Sequence, residues 1–173
     1  MRRSLSAAVL FVAAAALAPI AAAEGVFSER PSLAFEATGL AYGLAVGSPR
    51  VSAEGSWPIS KSLCAQVSPT AAWGSAGDLE LGLPIVLRGA IQLGPFAPYA
   101  GAGIEAGWGR APAAAGIAAL GPILEIGERF YMFKTGLFLE PYAGGALMFA
   151  WYGAGDPLCT PSAYGGLRIG FGF

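Results

Sequence analysis

Residues 163–173 read AYGGLRIGFGF, and the alternation in this stretch decides the fold. Leu167, Ile169, Phe171 and Phe173 fall on one side of a period-two element, while Tyr164, Gly166, Arg168, Gly170 and Gly172 fall on the other. One face is apolar and the other small or polar, so this is a β-strand between two unlike environments. In a soluble sandwich the apolar face would be the core, but a strand that runs out on a bare phenylalanine suits that setting poorly.

The opposite end carries an export pattern. Arg2 and Arg3 precede an apolar run from Ala7 to Ile20, and Ala21-Ala22-Ala23 offers a small-residue cleavage site before Glu24. Residues 1–23 are therefore predicted to be a cleaved signal peptide, 24–31 a short periplasmic tail, and 32–173 the folded domain. The mature chain of about 150 residues is one domain by size.

Composition excludes several function classes. The chain has no histidine, which removes the commonest general base, the usual triads and nearly every zinc constellation. Eleven acids against ten bases carry no nucleic-acid signal. Mean hydropathy is +0.58, high for an exported protein. Yet the longest uncharged stretches, Ser62 to Gly77, Gly89 to Ile104 and Pro141 to Gly155, fall short of the roughly 18 residues of a spanning helix and contain Gly or Pro. High hydropathy without long apolar runs is what alternating membrane strands produce.

Eight such segments follow. The first is predicted over Leu33–Val46, with its parity switching at a bulge near Gly39. The second, Val51–Trp57, is entered by a turn at Ser48-Pro49-Arg50. The third, Leu63–Trp73, alternates most clearly. The fourth and fifth set Leu79, Leu81, Leu83, Ile85 and Leu87, then Phe96 to Trp108, against polar or small residues. The sixth, Leu120–Ile126, is weaker; the seventh is Leu137–Trp151, and the C-terminal stretch is the eighth. PYAG recurs at 98–101 and 141–144, each after a strand that contains a proline, Pro84 or Pro122. Those prolines fall on opposite faces, so this reading expects strand four or six to be slipped by one residue.

Two further patterns bear on the surroundings. Leu63–Trp73, Pro98–Trp108 and Pro141–Trp151 each span ten residues, which at about 3.3 Å per residue and a 40° tilt rises roughly 25 Å, the height of an apolar membrane band. Trp73, Trp108 and Trp151 would mark one interface of an aromatic girdle and Trp57 the other. Glu36, Glu54, Glu80, Glu105, Glu125, Glu140, Arg88 and Arg168 all fall on the polar faces, with every other charge expected in tails or turns. Facing hydrocarbon, each would cost about 2–4 kcal/mol.

The chain thus resembles the small eight-stranded outer-membrane barrels, of the kind typified by OmpX, OmpW and the membrane domain of OmpA. The resemblance rests on the export pattern, PYAGAG and PYAGGA, and the closing LRIGFGF. It implies a closed antiparallel transmembrane β-barrel in the outer membrane, monomeric, embedded in the lipid bilayer. It also implies that Leu167, Ile169, Phe171 and Phe173 form the signal read by the barrel-assembly machinery. The surface loops are expected to be short, the longest being Tyr152–Ser162, which does not suit an adhesin.

No enzyme is expected. Glu105, Glu125 and Glu140 are what alternating strands supply to any polar interior, and GAGIEAG has no following helix to make a phosphate loop. No cofactor or metal is expected. The function expected is a structural component or a narrow passive or gated pore with an acidic lumen. In it Arg168 would bridge two or more of Glu36, Glu105, Glu125 and Glu140. The alternative is a soluble exported lipocalin-like barrel that binds a small apolar ligand. Cys64 and Cys159 are predicted at opposite ends of the barrel and therefore not bonded to each other.

Overall fold

A computed structural model describes residues 31–173, apart from residues 75, 94, 111–115, 133–135 and 153–154. The predicted signal peptide and all of the predicted tail but Pro31 lie outside the described residues. The elements are β1 (Ser32–Glu36), α1 (Ala37–Val46), β2 (Arg50–Ser60), β3 (Leu63–Val67), β4 (Thr70–Trp73), β5 (Leu79–Ala90), β6 (Phe96–Arg110), β7 (Ile117–Met132), β8 (Leu137–Trp151) and β9 (Leu158–Gly172). Apart from β3 and β4, each strand pairs antiparallel with the next, and β1 pairs with both β2 and β9, so the sheet returns on itself. β3 and β4 both pair with β2 and with β5, so they occupy one place and the ring has eight positions. They are one strand interrupted at Pro69, which has no N–H to give to the ladder.

Alternation sorts the side chains as the hydropathy requires. Leu79, Leu81, Leu83, Ile85 and Leu87 are exposed on the outside, whereas Val86 and Arg88 are buried within. The ring is therefore apolar outside and polar inside. Sequential hairpins with short turns suffice to close it. One end gathers the turns after β2, β5 and β7 with the start of β1 and the end of β9; the other gathers those after α1, β4, β6 and β8.

Several expectations are corrected. The first strand ends at Glu36, and Ala37–Val46 is a helix rather than a bulged strand. Ala37, Leu40, Ala41, Leu44 and Ala45 are good helix formers, the Glu36 carboxylate accepts the Gly39 N–H at 2.8 Å, and Gly47, at φ 76°, closes the helix by donating to the Gly43 carbonyl. Neither strand four nor strand six is slipped. Pro84 lies opposite Glu105 on the inner face, and Pro122 lies opposite Ile104 on the outer face. The proline-to-PYAG spacing is simply longer by an odd number in the second hairpin, which reverses parity.

β7 and β9 are both longer than predicted. The final loop is correspondingly shorter, and Cys159 lies within β9, opposite Phe149, rather than in a loop. Both cysteines are free, Cys64 buried and Cys159 exposed. Four charges expected in turns belong to strands: Arg129 points inward and is buried, Arg50 opens β2 and lines the interior, and Glu128 and Arg110 take outward positions close to the strand ends.

Candidate functional site

The interior is crossed by a compact cluster of six ionised side chains: Glu54 from β2, Arg88 from β5, Glu125 and Arg129 from β7, Glu140 from β8 and Arg168 from β9. None is more than 5% exposed. Charges this deep persist only when paired and hydrogen-bonded, and here each arginine meets more than one carboxylate.

Arg88 Nη1 lies 3.1 Å from both Glu54 Oε1 and Glu140 Oε1, and its Nη2 contacts Glu125 Oε1. Arg129 donates through Nε to Glu140 Oε2 at 2.7 Å and reaches Glu54 at 3.5 Å. Arg168 spans the set, with Nε 3.0 Å from Glu54, Nη2 2.6 Å from Glu125 and Nη1 2.9 Å from Glu140. Neutral groups complete the shell. Tyr99 donates its hydroxyl to Glu140 at 3.0 Å and Glu125 at 3.2 Å, and Gln66 Nε2 donates to Glu54 at 2.9 Å. Aromatic faces stack on the guanidinium groups: Tyr99 on Arg88 at 4.3 Å, Phe138 on Arg129 at 3.9 Å and Tyr142 on Arg168 at 3.4 Å.

The ladder explains why these residues meet. Glu125 pairs with Gly101, which pairs in turn with Arg88, so acid and base share one row with a glycine between them. A Cβ on Gly101 would press on Val86 and Arg88, so the missing side chain is what lets the guanidinium reach across. Gly127 plays the same part between Tyr99 and Tyr142, because a Cβ there would overlap the Tyr99 ring. Glu140 stands directly opposite Arg168 on the neighbouring strand.

Of the eight lumen residues expected from sequence, the structure brings together Glu54, Glu125, Glu140, Arg88 and Arg168. Arg168 does bridge Glu125 and Glu140, with Glu54 as its third partner in place of Glu36 or Glu105. Glu36 also stands opposite Arg168 in the β1–β9 ladder, but its carboxylate is turned to cap α1. Glu80 is exposed near one rim, and Glu105 lines the space beyond the cluster with Arg50 and Thr70. Arg129 is the residue that sequence reading missed. Its signal was present, since carrying the odd-numbered inward parity of β7 from Glu125 two steps further lands on it.

Beyond the cluster, toward the α1 end, the interior opens into a cavity of about 420 Å³ bounded by Tyr42, Arg50, Gln66, Glu105, Tyr164 and Arg168, followed by a second of about 300 Å³. Outside the ring, Trp108, Ala118 and Trp151 form one continuous row across β6, β7 and β8, and Trp73 ends β4 at the same rim. Trp57 lies near the opposite turn. All four tryptophans are exposed, as are Ile169, Phe171 and Phe173, while Leu167 is half-buried.

Comparison with solved structures finds the N-terminal β-barrel domain of Pseudomonas aeruginosa OprF at a TM-score of 0.59, covering 87% of this chain and 100% of that one. The fold is a β-barrel like that of this domain. Sequence identity is 11%, so the likeness concerns the path of the backbone and not the chemistry of the interior. No protein-family model matches the barrel's sequence, and no curated protein matches it either.

Proposed function

We propose that this barrel is an outer-membrane protein with a structural role, its lumen closed by the arginine–glutamate cluster. The membrane placement draws support from the exposed leucine, isoleucine and phenylalanine side chains that cover the outside. A soluble protein would leave a far smaller contiguous apolar surface. The lipocalin-like alternative requires the reverse arrangement, apolar within, and the interior here is ionic.

One observation carries the closed lumen: three guanidinium groups and three carboxylates fill a single cross-section while remaining almost wholly buried. An eight-stranded interior is just wide enough for side chains to fill it. With three charges of each sign the constriction is neutral, so the excess acid lies outside it. Glu36, Glu80 and Glu105 flank the wider space against Arg50. Cations would collect there without passing.

The test is paired. The protein should fractionate with outer membranes and show heat-modifiable migration in unboiled gels, and the refolded barrel should give no steady current in planar bilayers. Recovery in the soluble periplasm would overturn the membrane placement, and steady wild-type conductance would overturn the closed lumen.

A further inference from the structure

Two acceptors inside the barrel lack a donor among the described residues. Gln66 is 1% exposed and lines the cavity on the α1 side of the charged cluster. Its Nε2 donates to Glu54 at 2.9 Å and to Ser68 Oγ at 2.6 Å, which fixes the orientation of the amide, because a carboxylate accepts only from the nitrogen. Oε1 is then left without a hydrogen bond. Leaving a buried carbonyl oxygen unpaired is unfavourable, and such atoms in folded proteins meet a bound water or a ligand. The second acceptor is Glu105 on β6. It is half-buried, and no side chain among the described residues hydrogen-bonds or ion-pairs with it, although Arg50 lines the same space.

The ladders place both acceptors in one cavity. Gln66 stands opposite Val86 and Glu105 opposite Pro84, so measured along β5 they are one inward step apart, two residues or about 6.6 Å. Arg88, the next inward residue of β5, belongs to the cluster and closes the floor. Toward the α1 end, a Cβ on Gly82 would stand 2.5 Å from Thr70 Oγ1 and 3.0 Å from Glu105 Oε1, so hydroxyl and carboxylate converge over bare backbone. The cavity of about 420 Å³ leads from there into the second, which Glu80 lines near the rim.

The chemistry that fits is a positively charged donor. An anion would meet Glu105, and a neutral polyol would satisfy Gln66 while leaving the charge of the carboxylate unmatched. Glu36, Glu80 and Glu105 outnumber Arg50 around this space. No group of three or more acidic or cysteine side chains among the described residues is placed to hold a metal ion. A primary ammonium group, with three donors and no acceptor, matches both open groups.

We propose that this cavity is a binding site for small primary-amine cations, whose donors meet Gln66 Oε1 and the Glu105 carboxylate and whose chain extends toward Glu80. The site deepens the reading of a closed lumen given above, taking the arginine–glutamate cluster as its floor.

The experiment titrates 1,4-diaminobutane into isotope-labelled barrel in phosphatidylcholine nanodiscs, whose zwitterionic headgroups do not concentrate amines. Salt is held at about 0.15 M, where diffuse attraction is screened beyond about 8 Å. The Gln66 side-chain amide resonance should move and saturate. 1,4-Butanediol, of the same length without the charge, should bind about tenfold more weakly or worse, and Glu105→Gln, which breaks no hydrogen bond or ion pair within the described protein, should weaken the diamine about as much. Glu128→Gln, on the outer face, should leave the affinity unchanged. A Gln66 resonance that stays in place in a heat-modifiable, folded barrel means that water alone holds Oε1 and overturns the site. Equal binding of the diol overturns it too, as does a Glu105→Gln variant that binds the diamine as well as wild type. Steady wild-type current in planar bilayers with the titration intact would overturn the closed lumen and leave the site standing.

Discussion

Replacing Arg88 with methionine tests the cluster most directly. Arg88 is 0% exposed and contacts Glu54, Glu125 and Glu140 with its guanidinium over the Tyr99 ring. Methionine keeps much of the volume and removes the charge. Three carboxylates then share Arg129 and Arg168, leaving one negative charge uncompensated in a buried site. Breaking a buried pair from one side costs about 3–5 kcal/mol, a large part of the roughly 5–15 kcal/mol that holds a domain folded. With a slope of about 2 kcal/mol per molar in urea, the unfolding midpoint in lipid vesicles should fall by roughly 2 M. Adding Glu54→Gln to Arg88→Met restores the balance of charge, and the double variant should regain about 1–3 kcal/mol relative to additivity. A single variant within about 0.5 kcal/mol of wild type would refute the reasoning, because only water reaching the cluster would make the charge that cheap to expose.

Four other outcomes are expected. Arg168→Ala removes the base that joins Glu54, Glu125 and Glu140, and should open a cation-selective current in planar bilayers where wild type is silent; a folded but silent variant would place the closure elsewhere. Phe138→Ala empties a fully buried site beneath Arg129 and beside Tyr131, and should cost about 3–5 kcal/mol in the same urea assay. Glu36→Ala removes the acceptor for the Gly39 N–H and should weaken α1 by about 1 kcal/mol, seen as faster amide exchange confined to residues 37–46 in lipid-free protein. The exposed tryptophans Trp57, Trp73, Trp108 and Trp151 should be quenched by brominated lipids, and emission blind to them would contradict the membrane placement.

Single segments of sequence determine which side a residue faces. In 63–73, 79–88 and 96–108 the apolar and polar sets separate cleanly, because a strand with an apolar outer face and a polar inner face must alternate at period two. That pattern, with Trp73, Trp108 and Trp151 at a common spacing, was enough to read an antiparallel β-barrel. Around Gly127-Glu128-Arg129 the polar residues occupy both faces near the end of β7, so alternation loses contrast and Arg129 escaped notice. Over 37–46 the apolar residues satisfy a strand with a bulge, while the same residues satisfy a helix once Glu36 caps it, and period alone does not choose between them.

Height and neighbourhood were decided only by the tertiary structure. Whether Glu125 meets Arg88, or Glu105 stands apart, depends on the stagger of strands around the ring, which is set by the hydrogen-bond registers of all eight ring positions together. The glycine between Arg88 and Glu125 is informative only after Gly101 is known to lie in their row. Alternation along one strand therefore identified residues able to face the interior, but the closed ring selected the three acids and three bases that meet there, because charge pairing is a property of distances between strands that no single strand contains.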